Sequence, residues 1–135
     1  MNYAAIRLAL ADRLENVDAL VAVYPSVPDR VVTPSAAVVP GDPFADFHQA
    51  SDGVAGGLIR CRFDVIVFAA RFDSSAGQET LDSLISEIPA QLEGDQTLGG
   101  AAVVVLVTEA TNYGVIQVAD TQLVGCRIAV EVYTQ

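Results

Sequence analysis

The stretch from Asp73 to Val107, DSSAGQETLDSLISEIPAQLEGDQTLGGAAVVVLV, decides the fold class, because it holds a helix start, an amphipathic helix, a set of breakers and the most apolar run of the chain. Ser75 with Gln78 three residues on reads as a capping box, the hydroxyl reaching a free N–H of the first turn and the amide reaching back. Leu81, Leu84, Ile85, Ile88 and Leu92 then recur at the spacing of one helical face, while Asp82, Ser83, Glu87 and Gln91 fall elsewhere. Such a face calls for a sheet to lie on. Pro89 lacks an N–H and its ring meets the carbonyl four residues back, so the helix is expected to end near Glu87 or to kink, with Pro89 opening a further turn. Gly94 and the pair Gly99-Gly100 close the helical region. Ala101 to Val107 is an unbroken apolar run rich in β-branched residues and predicts a strand buried on both faces.

Upstream, Asn2 is placed to cap a first helix whose stripe is Ile6, Leu10, Leu14 and Val17. Leu20 to Tyr24 is a short apolar piece ended by Pro25, and Ser35 to Val39 is a short strand bracketed by Pro34 and Pro40, which suits a sheet edge. Pro40 to Gly57 shows neither a helical nor a strand period and reads as a long loop, a length that compact domains keep for mobile or binding segments. Asp42, Phe44, Phe47 and His48 are its candidate partner-binding residues. The two aromatic rings either anchor a partner or tuck over the domain's own core. Ile59, Cys61, Phe63, Val65 and Val67 alternate with Arg60, Arg62, Asp64, Ile66 and Phe68, predicting a long strand with one buried face and a second that turns apolar towards its end.

Downstream, Thr108 to Asn112, Tyr113 to Val118, a turn at Ala119-Asp120-Thr121 and Leu123 to Tyr133 complete the sheet, the last pieces as a hairpin. The order implies one α+β domain: a mostly antiparallel twisted sheet with the N-terminal and central helices on one face and a long loop at 40–57.

The chain has 135 residues, 52% of them hydrophobic and 18% charged, which suits one folded core and excludes extensive disorder. No apolar run reaches membrane-spanning length and no secretory signal fits the N-terminus, so a soluble protein made in a cytoplasm is expected. All seven basic residues are arginine, and against seventeen acids they leave a net charge of −10. A phosphate-gripping groove is a poor fit to that balance, since nucleic-acid affinity comes largely from Lys and Arg displacing counterions.

No nucleophile elbow, Walker loop, zinc-protease motif or dinucleotide fingerprint is present. His48 is the single histidine, which removes most triad and acid–base schemes. Its neighbours Asp42, Asp46 and Asp52 contain the donor types of a hard-metal site, but acids and glycine in a loop are also what turns and solvation produce. Cys61 and Cys126 sit on apolar strand faces without metal-ligand spacing and read as buried thiols; a bond between them would need adjacent strands in register. Neither a cofactor, a metal nor a catalytic residue is indicated.

The order of segments resembles the tail terminator proteins of long-tailed bacteriophages, particularly those of actinobacterial hosts. The residues that carry the resemblance are an N-terminal helix, YPSVPD (Tyr24 to Asp29), TPSAAVVP (Thr33 to Pro40), QETLD (Gln78 to Asp82), LEGDQTLGG (Leu92 to Gly100) and LVGCRIAVEVY (Leu123 to Tyr133). The resemblance implies a structural virion protein that forms a homo-hexameric ring on the head-proximal end of the tail tube, stops addition of tube protein and offers a surface to the head-completion proteins of the neck. DNA would pass through the lumen without specific binding, and an acidic lumen suits that passage. Under this reading the subunits pair through strand edges and through the strand face bearing Arg60 and Arg62, against acids of the neighbour. The loop docks on tube or neck, so that deleting residues 41–57 leaves a folded domain that no longer caps tails. A head-closure or connector protein of the neck is the nearer alternative, and a small cytoplasmic enzyme or ligand-binding domain using His48 the more distant one.

Overall fold

The computed structural model describes residues 2–46 and 59–134. Its elements run α1 (Tyr3–Leu14), β1 (Ala22–Tyr24), β2 (Ser35–Asp46), β3 (Ile59–Arg71), α2 (Gly77–Glu93), β4 (Val104–Val118) and β5 (Thr121–Thr134), with a short 3₁₀ turn at Leu98–Gly100 before β4. The five strands lie in the order β1-β2-β3-β5-β4; the β1–β2 pair is parallel and the others are antiparallel. This is the α+β domain that the alternation of segments predicts.

Both helices lie on one face of the sheet. Ile6, Leu10 and Leu14 of α1 and Leu81, Leu84, Ile88 and Leu92 of α2 share one core with Cys61, Phe63, Val65 and Val67 of β3 and Cys126, Ile128, Val130 and Val132 of β5. Period-2 alternation therefore sends every second residue of the two central strands under the helices. The other face carries a smaller apolar cluster of Ala37, Ile66, Phe68 and Leu123, packed against by Tyr24 of β1 and Val31 of the β1–β2 connection. The Asn2 side chain caps α1, its Oδ1 accepting from the Ala5 N–H at 3.0 Å.

Four expectations are corrected. The helix α2 begins two residues after Ser75: Ala76 is the residue before its first turn, and no side chain caps it. Packing sets that start. A Cβ on Gly77 would stand 3.3 Å from Val124 Cγ2, so the helix meets β5 at the one residue that lets it come so close. The helix also runs through Pro89 to Glu93 without stopping at Glu87. Leu84, Ile88 and Leu92 are all fully buried on either side of the proline, and that burial outweighs one missing hydrogen bond. Pro89→Ala restores an N–H in mid-helix and is expected to raise stability by about 1–3 kcal/mol, read as a shift in the denaturation midpoint.

Third, β2 is neither short nor a simple edge. It continues past Pro40 to Asp46, with a register irregularity between Pro40 and Ala45, before Ala45 pairs Cys61 and Asp46 pairs Arg60. The strand β1 covers only Ser35 to Ala37, so Pro40 and Pro43 sit where β2 is itself the outer strand and needs no outward N–H. Deleting residues 41–57 would thus remove part of the sheet. Fourth, Val104 to Val118 is one 15-residue strand, where shorter pieces are expected, and it forms the edge of the sheet. Val105 is fully buried, but Leu106 is exposed. Irregularities at Val107/Glu109 and Thr111/Gly114 interrupt its apolar and alternating pattern.

Cys61 and Cys126 are free and buried. Cys61 pairs Val132 while Cys126 pairs Val67, so they stand six positions apart along β3, roughly 20 Å at about 3.3 Å per residue, far beyond disulfide reach. Burial pushes both thiols from 9.0 up to about 11. The fold holds each thiol neutral, whereas the unfolded chain ionises near pH 9. Their stabilising contribution is therefore complete below about pH 9 and falls as pH rises towards 11, by about 1.4 kcal/mol per thiol per pH unit. Denaturation midpoints compared at pH 8 and pH 10 check the sign, and a thiol reagent at pH 8 should label both cysteines only in denaturant.

Candidate assembly surface

Arg60 and Arg62 stand on the helix-free face of β3, where the alternation places them. Their acids belong to the same chain. Arg60 meets Asp46 at 2.6 Å and Glu131 at 3.6 Å, Arg62 meets Glu131 at 3.4 Å, and Arg127 meets Asp64 at 3.0 Å. Cross-strand register explains the pairs, since Arg60 lies opposite Asp46 on β2 and Arg62 lies opposite Glu131 on β5. Burial works against the Arg60 charge, but Glu131, Tyr133 and Asp46 more than offset it and raise the guanidinium pKa. The acid partners expected from a neighbouring subunit are thus already supplied internally, and this part of the face is close to neutral.

Of the loop candidates, Asp42 is exposed and Phe44 is half-buried. Phe44 turns inward: its ring lies edge-on to Tyr3 at 4.9 Å and to Phe63 at 5.2 Å. That is the second of its two readings, a ring tucked over the domain's own core. Phe47 and His48 lie outside the described residues, as does Asp52. Among the described residues no group of three or more His, Cys, Asp or Glu side chains is placed to hold a metal ion. A cleft of about 660 Å³ opens between the β1–β2 connection at Asp29 to Thr33 and the β4–β5 turn. Valine and leucine line it beside Arg30, Arg71, Asp29 and Asp120, and it contains no nucleophile–base pair.

Asp95 shapes the approach to β4. Its carboxylate accepts from the Thr97 hydroxyl at 3.0 Å and from the Gly99 N–H at 2.9 Å, bonds that hold its pKa below the usual value. It is the turn former that its sequence position predicts. Beyond it, the outward backbone of β4 is partly closed by side chains. Gln96 Nε2 donates to the Val105 carbonyl at 3.5 Å, and the Val107 N–H donates to Glu93 Oε2 at 3.1 Å. These contacts blunt the first half of an edge that would otherwise recruit strands. Further along, the Tyr113 hydroxyl donates to Asp82 Oδ1 at 2.9 Å, a bond that raises the phenol pKa.

Exposed large apolar side chains are not scattered. Among the described residues, Val21, Val27 and Val32 flank or follow β1, while Phe72, Val103, Leu106, Tyr113 and Val115 gather on or beside β4; Leu8 on α1 is the remaining one. Val27 and Val32 lie in the β1–β2 connection, and Val32 lines the same cleft as the β4–β5 turn. The acids are equally uneven. Asp12, Glu15, Asp18, Glu79, Asp82, Glu87 and Glu93 are all exposed on the helical layer, whose two arginines, Arg7 and Arg13, are half-buried. Arg13 Nη2 is used in joining the helices, donating to the Gln91 carbonyl at 2.8 Å.

Sequence reading missed the β4 surface because it placed Ala101 to Val107 in the interior and ended that strand before Thr108. The signal available was the polar run Thr108 to Asn112, which a strand buried on both faces does not carry. No helix among the described residues is long and apolar enough to cross a membrane. The chain matches no protein-family model and no curated protein sequence.

Proposed function

We propose that the chain is a structural, non-catalytic subunit of a bacteriophage tail, one that closes the head-proximal end of the tail tube as a ring and offers the surface on which the head is joined. The ordered segments that resemble tail terminators motivate the reading. The observation that supports it furthest is the gathering of exposed apolar residues in two groups, around β1 and the connection after it and on or beside β4. A closed ring built from identical subunits uses two different patches on each, one facing each neighbour. A domain that exposes two distinct apolar groups offers surfaces for such contacts.

The net charge of −10 and the acidic outer side of α2 suit a subunit past which DNA slides, because a negative wall repels phosphate and leaves no site at which DNA would lodge. The test is assembly with and without the chain. Tail-tube protein polymerised alone should give tubes of unregulated length, and addition of this chain should arrest growth and leave tubes competent to join heads. Tubes that elongate equally in its presence would overturn the reading, and binding to the head-side connector in preference to tubes would replace it with a neck-connector role.

A further inference from the structure

The outer half of β4 is an uncovered sheet edge. Its first half is closed by Gln96 and Glu93, which bond the Val105 carbonyl and the Val107 N–H. Among the described residues no backbone hydrogen bond from outside the sheet reaches Thr108 to Val118. Past the irregularity between Thr111 and Gly114, pairing with β5 is unbroken from Gly114 to Val118, so this part of the edge is regular strand. That is room for an added strand of ordinary length, about five residues. The usual guards of an edge are missing: Gly114 to Val118 contains no proline and no charged residue, and Glu109 is the single charge on the whole of β4.

The same residues have a cleft on each face of the sheet. Tyr113, Gly114 and Val115 line one of about 240 Å³ on the helix side, with Phe72, Val124 and Gln78 of α2. They also line another of about 490 Å³ on the helix-free side, with Ile66 and Ile116. The sides are fixed by Val124, which packs against the core under the helices, and by Ile66, which belongs to the opposite cluster. Arg127 lines the second cleft too, but Asp64 holds its guanidinium at 3.0 Å. Phe72, Tyr113 and Val115 are 56%, 48% and 52% exposed. A helix or a small ligand laid on one face would reach one cleft only. An extended chain added beside β4 would reach both, because its side chains alternate between the two faces.

The charge of the occupant follows from that of the chain. Two copies meeting at this edge would each bring a net charge of −10, whereas a basic segment is drawn towards it. From the free edge, the paired clefts and the charge, we propose that the outer half of β4 takes up an extended, basic segment of another protein as an added strand. Neighbouring apolar residues of that segment fill the clefts on either side of Val115. Gln96 and Glu93, by closing Val105 and Val107, confine the segment to the outer half. The inference does not depend on the tail role above, so either can fail while the other stands.

The probe is a short, fluorescently labelled, capped peptide with Val-Ile at its centre and alternating lysine and threonine on either side. Anisotropy titration with the full chain measures its binding. A second peptide of the same sequence, with its central amides N-methylated, keeps the charge and the side chains but loses the N–H groups of a ladder. The first peptide should bind saturably, and methylation should weaken it at least about tenfold. Val115→Lys should also weaken it at least about tenfold, because it sets a like charge at the wall shared by both clefts. Leu106→Lys makes the same change on the closed half of β4 and should leave binding as it is. Amide hydrogen exchange should show protection gained over residues 114–118 and none over residues 104–107, and circular dichroism shows that each variant is folded. Absence of saturable binding would overturn the inference. Equal binding of the methylated peptide, or an equal loss in Leu106→Lys, would reduce it to charge attraction and overturn it too. Self-association of the unmodified chain that Val115→Lys abolishes would give the edge to a second copy, against the inference.

Discussion

Gly125→Ala is expected to lower stability by about 3 kcal/mol or more, among the largest effects of any single methyl group in this protein. Gly125 lies in β5 between two strands, paired with Phe68 of β3 on one side and with Gly114 of β4 on the other. A Cβ built there would fall on the Val67 carbonyl oxygen and come within 2.8 Å of Ile116 Cδ1. A side chain could turn away, but a carbonyl that belongs to the central ladder cannot. The strands would have to separate at the register irregularity between Phe68 and Ala70, near one end of the β3–β5 pairing. The control is Gly99→Ala, where nothing lies within 4 Å and the only obstacle is a φ of +66°. That change should cost about 1–2 kcal/mol. Chemical denaturation of both variants separates a steric clash from a backbone preference. Equal midpoints would mean that β3 and β5 do not approach as closely as the structure has them.

The second large effect is expected at Phe63. Its ring is fully buried at the junction of β3, α1 and β2, with Phe44 edge-on at 5.2 Å and the Arg7 guanidinium 5.9 Å from its centroid. Phe63→Ala removes the ring and leaves a cavity that the surrounding strands can only partly fill, at a cost of about 3–5 kcal/mol. Phe44 is half-buried and should cost less when truncated. Because the two rings touch, the double variant should fall short of the sum by about 0.5–1.5 kcal/mol. Additive losses would show that Phe44 does not pack on Phe63, and would reopen its reading as an anchor for a partner.

Much of the layer structure is legible in the sequence, for reasons that can be given residue by residue. The stripe from Leu81 to Leu92 and the alternation from Ile59 to Val67 are strong periodic signals, and both report the same core from its two sides. The Asn2 cap and the Asp95 turn are local chemistry and need no tertiary context. The misread features all depend on neighbours distant in sequence. Pro89 is a breaker by itself, yet Leu92 beyond it is fully buried in the core and holds the helix together. Pro40 onwards reads as a long loop, yet Phe44 and Asp46 find Phe63 and Arg60 on β3 and carry the strand on. Ala101 to Val107 is as apolar as a central strand, but its far side is met by Glu93 and Gln96 and no further strand, which no local pattern encodes.

The candidate surface was legible only in part. Arg60 and Arg62 are on the predicted polar face, but cross-strand acids, invisible without the register, occupy them.

The central claim is that this chain closes a tail tube. Electron microscopy of tubes assembled from tail-tube protein of the same source, incubated with this chain and then washed, tests it most directly. A ring of added density at one end of each tube, absent when the chain is left out, is the result predicted. Bare tube ends, or density spread along the tube wall, would contradict it.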